Sequence, residues 1–210
     1  MRKPEQEISA FYDATAKSWA DNWYENEKMV PLLQHIISAL PPTPRILDVG
    51  CGAGYESMRL HNLGAQAVGI DISEKSIAIA KEKNPGSEFH VMNLFAIDSG
   101  LGLFDGAVAI ASLIHIPENT LLLAFESIAR VLHPGGRLFI VFSKGNGKNY
   151  GYAEEKSVTE IDGIQHNRHF HYHSPETMIS AAKIAGLQYV EDCPEVNDGN
   201  WIGHHYQCRL

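Results

Sequence analysis

The chain has 210 residues, 44% of them hydrophobic and 20% charged, and a formal net charge of −8. That length suffices for one core domain with a small appendage, and the negative balance works against nonspecific attraction to nucleic acid or an anionic membrane. Cys51, Cys193 and Cys208 have no metal-ligand spacing and form no even framework, so the expected setting is a reducing cytoplasm. No apolar run approaches 18 residues, the polar opening through Glu7 reads as no signal peptide, and there is no internal repeat.

Residues 1–40 have helical periodicity: Ile8, Phe11, Tyr12, Trp19 and Trp23 form an aromatic-rich set, and Met29, Leu33, Ile36 or Ile37 and Leu40 continue it. Pro41-Pro42-Thr43-Pro44 ends that region, because proline removes donors and pushes its predecessor out of the α region. An alternation of strands and helices follows. Strands are expected at Ile46–Val49, Ala65–Ile70 (ending in Asp71), Phe89–Met92, Phe104–Ala111 and Arg137–Phe142. Helices are expected from Gly54 to Leu63, after a Ser73 N-cap up to Asn84-Pro85-Gly86, and from near Pro117 with Leu121, Phe125, Ile128 and Leu132 on one face. His133-Pro134-Gly135-Gly136 reads as a turn, Ser143–Tyr152 as a loop, and the stretch to His173 as polar and histidine-rich. Ser174-Pro175-Glu176 starts a last helix, stopped by Gly186, and Leu187–Glu191 and Trp201–Arg209 form an antiparallel pair at one edge. The fold class is therefore α/β: a doubly wound, Rossmann-like sheet, mostly parallel with an antiparallel C-terminal strand, plus an N-terminal helical cap. The expected division is a cap or lid at 1–44 and a core domain at 45–210.

Three glycines at alternate positions, Gly50, Gly52 and Gly54, follow the first strand. A strand, a glycine-rich turn and a helix in that order let a backbone approach a nucleotide-like ligand closely. The dinucleotide pattern G-x-G-x-x-G fails, because its third glycine would fall on Tyr55. Asp71 ends the next strand, where an acid can accept hydrogen bonds from both ribose hydroxyls, and Asp48 can brace the loop through its backbone amides.

The set Ile46-Leu47-Asp48-Val49-Gly50-Cys51-Gly52-Ala53-Gly54, Val68-Gly69-Ile70-Asp71, Phe104-Asp105 and Leu132-His133-Pro134-Gly135-Gly136 resembles a class I S-adenosylmethionine-dependent methyltransferase of the small-molecule type, in register across residues 45–142. The resemblance implies S-adenosylmethionine as cofactor, with Gly50, Cys51, Gly52 and Gly54 at its methionine part, Asp71 at the ribose, and Ile72 against adenine. It places Asn93 and Leu94 where the family carries an acid for the adenine amino group, Ala111 beside the sulfonium, and Tyr12 and Trp19 in the cap over the cofactor. It implies in-line methyl displacement to a small-molecule acceptor, with no nucleic acid or membrane partner and no set oligomeric state. The alternatives are a protein methyltransferase and a noncatalytic S-adenosylmethionine-binding protein.

His115, just after the fourth strand, is the candidate general base or substrate contact; a loop-ordering histidine is the plain alternative. Trp23, Arg168 and Phe170 are candidate substrate contacts, although Tyr12, Trp19 and Trp23 could equally be ordinary helix packing. His166, His169, His171 and His173 read as a polar lid or strand, and no metal is assigned to them or to His204-His205, since no acid or cysteine completes a set.

Overall fold

The computed structural model describes residues 3–143, 153–196 and 200–209. Its main sheet has seven strands in the order β3-β2-β1-β4-β5-β9-β8. β1 (Arg45–Val49), β2 (Gln66–Asp71), β3 (Glu88–Val91), β4 (Phe104–Ile110) and β5 (Leu132–Ser143) run parallel. β9 (Trp201–Cys208) lies antiparallel between β5 and the edge strand β8 (Leu187–Asp192).

Helices cover both faces. Leu47, Val49, Val68 and Ile70 pack with Leu121, Phe125 and Ile128 of α5 (Glu118–Ala129) and with Met178 and Ala182 of α6 (Pro175–Ile184). Ile46, Ala67, Val108 and Phe139 pack on the other face with Leu32, Leu33 and Ile36 of α2 (Val30–Ser38) and Leu60 of α3 (Tyr55–Asn62). Burial on both faces explains why Gly106-Ala107-Val108-Ala109 is a continuous apolar run without polar alternation. α4 (Glu74–Lys83) is capped by Ser73, whose hydroxyl accepts from the Ser76 N–H. The chain direction across the sheet reverses between β1 and β4, which makes their carboxyl ends the expected ligand crevice.

Two expectations need correction, and a third stretch takes one of the two forms expected of it. The helical stretch 1–40 is two helices, α1 (Lys3–Trp23) and α2, separated at residues 24–29. The 133–136 turn lies within β5: Leu132 pairs with Phe104 and Arg137 with Gly106, so the intervening residues form a bulge around Gly135 at φ +81°. The histidine-rich stretch is a hairpin of β6 (Ala153–Ile161) and β7 (Ile164–Tyr172), forming a separate two-stranded sheet. Asp162 and Gly163 close it with φ of 52° and 76°, the double left-handed geometry that a two-residue hairpin favours. The expected loop at 144–152 lies outside the described residues.

Arg59 fastens the end of α1. Its guanidinium donates to the carbonyls of Trp23, Tyr24 and Asn26 at 2.6, 3.0 and 2.5 Å, and sits 3.5 Å from the Glu56 carboxylate. Both side chains are buried. Removing one member of such a group strands the others without water, so Arg59→Met is expected to cost about 3 kcal/mol or more. Urea denaturation should show the loss as a lower midpoint at unchanged slope.

A candidate functional site at the carboxyl edge of the sheet

The glycine loop leaves β1 against β2: the Gly50 and Cys51 N–H groups donate to the Ile70 carbonyl at 2.8 and 3.0 Å. Gly50 holds φ at +74°, and a Cβ there would lie 2.4 Å from the Ser112 Cβ. Glycine is thus demanded both by conformation and by the close pass of the β4 exit. At that exit Ala111 adopts φ +56°, an uncommon left-handed conformation for a residue with a Cβ. Gly54 is a different case. A Cβ there would lie 2.9 Å from Ala80, Asn84 and Phe89, so this glycine serves the packing of α3 against α4. It does not line the cavity described next.

Asp71 braces the loop: its Oδ2 accepts the Gly52 N–H at 2.9 Å and its Oδ1 accepts the Ser73 N–H at 2.8 Å. The expected brace, Asp48, bonds elsewhere, accepting the Ser57 hydroxyl at 2.6 Å at the start of α3. The physical reason is alternation. Asp48, inside β1, points beneath the turn, whereas Asp71 ends β2 beside it.

A cavity of about 650 Å³ opens over these groups. Asp48, Gly50, Cys51 and Gly52 form its floor, with Asp71 and Ile72 at the end of β2 and Asn93 and Leu94 after β3. Ala111 and His115 approach from the β4 side, and Arg168 and Phe170 from the hairpin. α1 roofs it with Tyr12, Trp19 and Trp23. Four further lining residues carried no sequence signal of their own: Glu5, Tyr55, Glu56 and Ser112. Tyr55 stacks on Trp23, and Trp23 on Trp19, at centroid separations of 6.1 and 6.3 Å. The Ser112 hydroxyl is buried without a protein partner among the described residues.

Asn93 has two contacts of its own. Its Oδ1 caps the turn at 94–96 by accepting the Phe95 N–H at 3.0 Å, and its amide donates to Glu5 Oε2 at 2.9 Å. One lone pair of the carbonyl expected as an acceptor is therefore engaged and the second is not, and a carboxylate arrives beside it from α1.

His115 is held from both sides. Its Nδ1 lies 2.7 Å from the His169 carbonyl and its Nε2 2.8 Å from the Tyr12 hydroxyl. A carbonyl only accepts, so Nδ1 carries the proton, and Nε2 accepts from Tyr12. Burial lowers the His115 pKa to about 4 and raises that of Tyr12 to about 12, leaving a neutral imidazole across the physiological range. The Arg168 guanidinium lies 4.3 Å from the Phe170 ring centroid and 4.7 Å from that of Phe11, and its Nε is buried without a partner. Of the hairpin histidines, His169 pairs with Glu7 of α1 at 2.8 Å, and His173 reaches the Ile116 carbonyl at 2.9 Å.

Burial pushes Asp48 up to about 7, with the Asp71 carboxylate adding to the rise, and Glu56 up to about 8, with Asp48 adding and desolvation outweighing Arg59; Asp71 is raised by burial as well. This end of the cavity is short of positive charge. A cationic ligand would favour the ionised carboxylates, so its affinity should rise as pH passes through about 7 and about 8, with proton release on binding. Calorimetry in two buffers of different ionisation enthalpy measures that release, and Asp48→Asn should reduce it.

Residues 46–136 match the family model described as "Methyltransferase domain". The chain is 41% identical over 102 residues to O-methyltransferase cnsE of Penicillium expansum, covering 45% of this chain and 36% of that protein. It is 28% identical over 151 residues to the ubiquinone biosynthesis O-methyltransferase of Dechloromonas aromatica, covering 69% and 64% respectively. The chain thus spans between about a third and two thirds of the length of these relatives. Magnesium protoporphyrin IX methyltransferase from Synechocystis, solved with bound S-adenosylmethionine, superposes with a TM-score of 0.73 at 15% identity over 99% of this chain and 98% of that one. A Burkholderia thailandensis 1,6-didemethyltoxoflavin-N1-methyltransferase, solved with its substrate and S-adenosylhomocysteine, gives 0.72 at 16% identity over 100% and 92%. Residues 46–136 thus resemble a methyltransferase domain, and the mostly parallel seven-stranded sheet, with the glycine loop at its switch point, shares its fold with these solved methyltransferases.

Proposed function

We propose that the protein binds S-adenosylmethionine and methylates a hydroxyl group of a small molecule with a flat, apolar body. The observation that carries this reading is the roofed cavity of about 650 Å³, which runs from the glycine loop to His115. A volume in that range suits a cofactor with a compact acceptor beside it, whereas a protein side chain would need an open groove. A hydroxyl acceptor is favoured by the O-methyltransferase names of the two relatives and by the neutral imidazole.

The residues present suit the cofactor. Asp71 keeps acceptor capacity on its carboxylate for the ribose, and Ile72 offers an apolar flank. Glu5, brought beside Asn93, supplies the carboxylate that position 93 lacks. Asp48 and Glu56 supply negative potential, and the Ser112 hydroxyl supplies an uncommitted polar group. When bound, S-adenosylmethionine supplies a methyl group already activated on a sulfonium centre. The chain then has to align the acceptor and take its proton. The Tyr12 hydroxyl takes the acceptor's proton as it passes its own to His115 Nε2, which with a pKa of about 4 then releases it to solvent, and the His169 carbonyl fixes the ring. Trp19, Trp23 and Phe170 exclude water and stack on the acceptor, with Arg168 at its rim. The unit 1–44 acts as a cap on 45–210. No described helix is long and apolar enough to cross a membrane. The three cysteines are buried and unpaired, which fits a reducing cytoplasm, and the −8 charge favours a small molecule over nucleic acid.

The direct test is incubation with methyl-labelled cofactor and a pool of hydroxylated small molecules, following the label into product. Asp71→Ala should weaken cofactor binding in calorimetry at least tenfold with an unchanged circular dichroism spectrum; unchanged affinity would remove the ribose assignment. His115→Gln should leave cofactor affinity intact and lower kcat about 10²-fold or more, the range of general-base catalysis. Equal turnover at saturating cofactor would leave His115 only a loop-ordering role.

A further inference from the structure

Outside the cavity, His35, Glu191 and His205 come together on the sheet face covered by α2. We propose that they form a binding site for one divalent transition-metal ion of the zinc type. The three potential ligand atoms lie within 4.8 Å of one another. Glu191 Oε1 is 3.2 Å from His205 Nδ1 and 4.0 Å from His35 Nε2. In a tetrahedral zinc site with bonds of about 2.1 Å, neighbouring ligand atoms stand ~3.4 Å apart. The observed spacings bracket that value, so closing on an ion needs side-chain adjustment only.

Each ligand is aimed by a separate device. His35, on α2, has its Nδ1 3.0 Å from Glu195 Oε1. The imidazole donates there, which leaves a lone pair on Nε2 facing Glu191. A carboxylate behind the second nitrogen is the usual support of a metal-bound histidine. His205 lies flat on Phe139, with ring centroids 4.2 Å apart and planes 14° from parallel, and Phe139 also meets His35 edge-on at 6.1 Å. One aromatic ring thus spaces both imidazoles. Glu191 lies across from His205, immediately after a register shift in β8 at Tyr189/Glu191. Such a shift re-aims a side chain that regular pleating would send elsewhere. The Glu191 side chain is 52% exposed, so solvent reaches the site and water can complete the coordination. Two neutral imidazoles and one carboxylate suit a borderline-soft ion better than calcium or magnesium, which prefer all-oxygen sets.

Arg137 works against the ion. Its Nη1 lies 3.3 Å from His205 Nε2, so in the metal-free protein it donates to Nε2 and the imidazole proton sits on Nδ1, facing Glu191. Binding of the ion at Nδ1 moves that proton to Nε2 and obliges the guanidinium to turn away. Affinity is thus tuned by Arg137, and a residue that accepts from Nε2–H should raise it. The ion would tie α2, β8, the turn at 194–196 and β9 together, behind the part of the cavity wall formed by Met29 and Val196.

The test uses the full chain, without an affinity tag, stripped with chelator and titrated with zinc chloride against a chromogenic chelator. The expected result is one saturable equivalent per chain, together with a higher midpoint of thermal unfolding. His35→Gln and Glu191→Gln should each weaken binding at least tenfold, with metal-free circular dichroism matching the parent. Arg137→Gln should tighten it, and the double variant His166→Gln/His169→Gln should leave it unchanged. The proposal is overturned by absence of a saturable equivalent, by indifference to His35→Gln and Glu191→Gln, or by loss of binding in the hairpin variant.

Discussion

A single carboxylate connects the two turns on which the cavity depends. Asp71 accepts one N–H from the glycine loop and one from the start of α4, at 2.9 and 2.8 Å. Backbone amides have fixed directions, so this pair sets the position of the loop relative to the end of β2 more tightly than apolar packing would. The carboxylate is desolvated and its pKa raised, which means that the backbone amides it accepts from, Ile72 among them, offset only part of the cost of desolvating its charge. The loop is therefore preformed around a group with unspent capacity to accept hydrogen bonds. A diol offering two hydroxyls would complete the arrangement without rebuilding it.

The roof rests on the same edge. α1 reaches the end of β2 through Ser9, whose hydroxyl lies 3.3 Å from the Ile72 carbonyl, and the start of α4 through Asp13, 2.6 Å from the Ser73 hydroxyl. It meets the hairpin through Glu7 and His169, and its C-terminal carbonyls are collected by Arg59. These directional polar contacts, with the buried Phe11, Ala16 and Ala20, attach α1 to its neighbours, and the face carrying Tyr12, Trp19 and Trp23 lines the cavity. A helix that buried those rings in the core would leave no room beneath it.

What the amino-acid sequence makes legible follows from how local each cause is. Gly50 and Asp71 could be read because a left-handed φ and a strand-end acid are properties of a few adjacent residues. The strand order around β1 and β4 follows from the alternation of elements together with the resemblance over residues 45–142. Glu56 and Ser112 were silent because their roles arise from distant neighbours. Glu56 matters through Asp48 and Arg59, and Ser112 through the close pass of Gly50. The hairpin had a readable signal in Asp162-Gly163, but its polar strands lack the apolar alternation by which a strand is usually recognised. Asp48 shows the complementary error: the residue type was suitable, but a nearer partner, Ser57, had already claimed its carboxylate.

The hydrogen bond that orients His115 comes from the main chain of residue 169, not from its side chain. A carbonyl at that point exists whatever amino acid occupies the position, whereas its direction depends on the pleat of β7. A shift of β7 by one residue would turn the carbonyl away and present a different face of the strand to the cavity. The His115 end of the cavity is therefore written in chain length and turn geometry, with Asp162-Gly163 as the counting mark. Over time, residues 153–172 could exchange many of their side chains while tolerating almost no single-residue insertion, the reverse of the usual behaviour of a surface excursion.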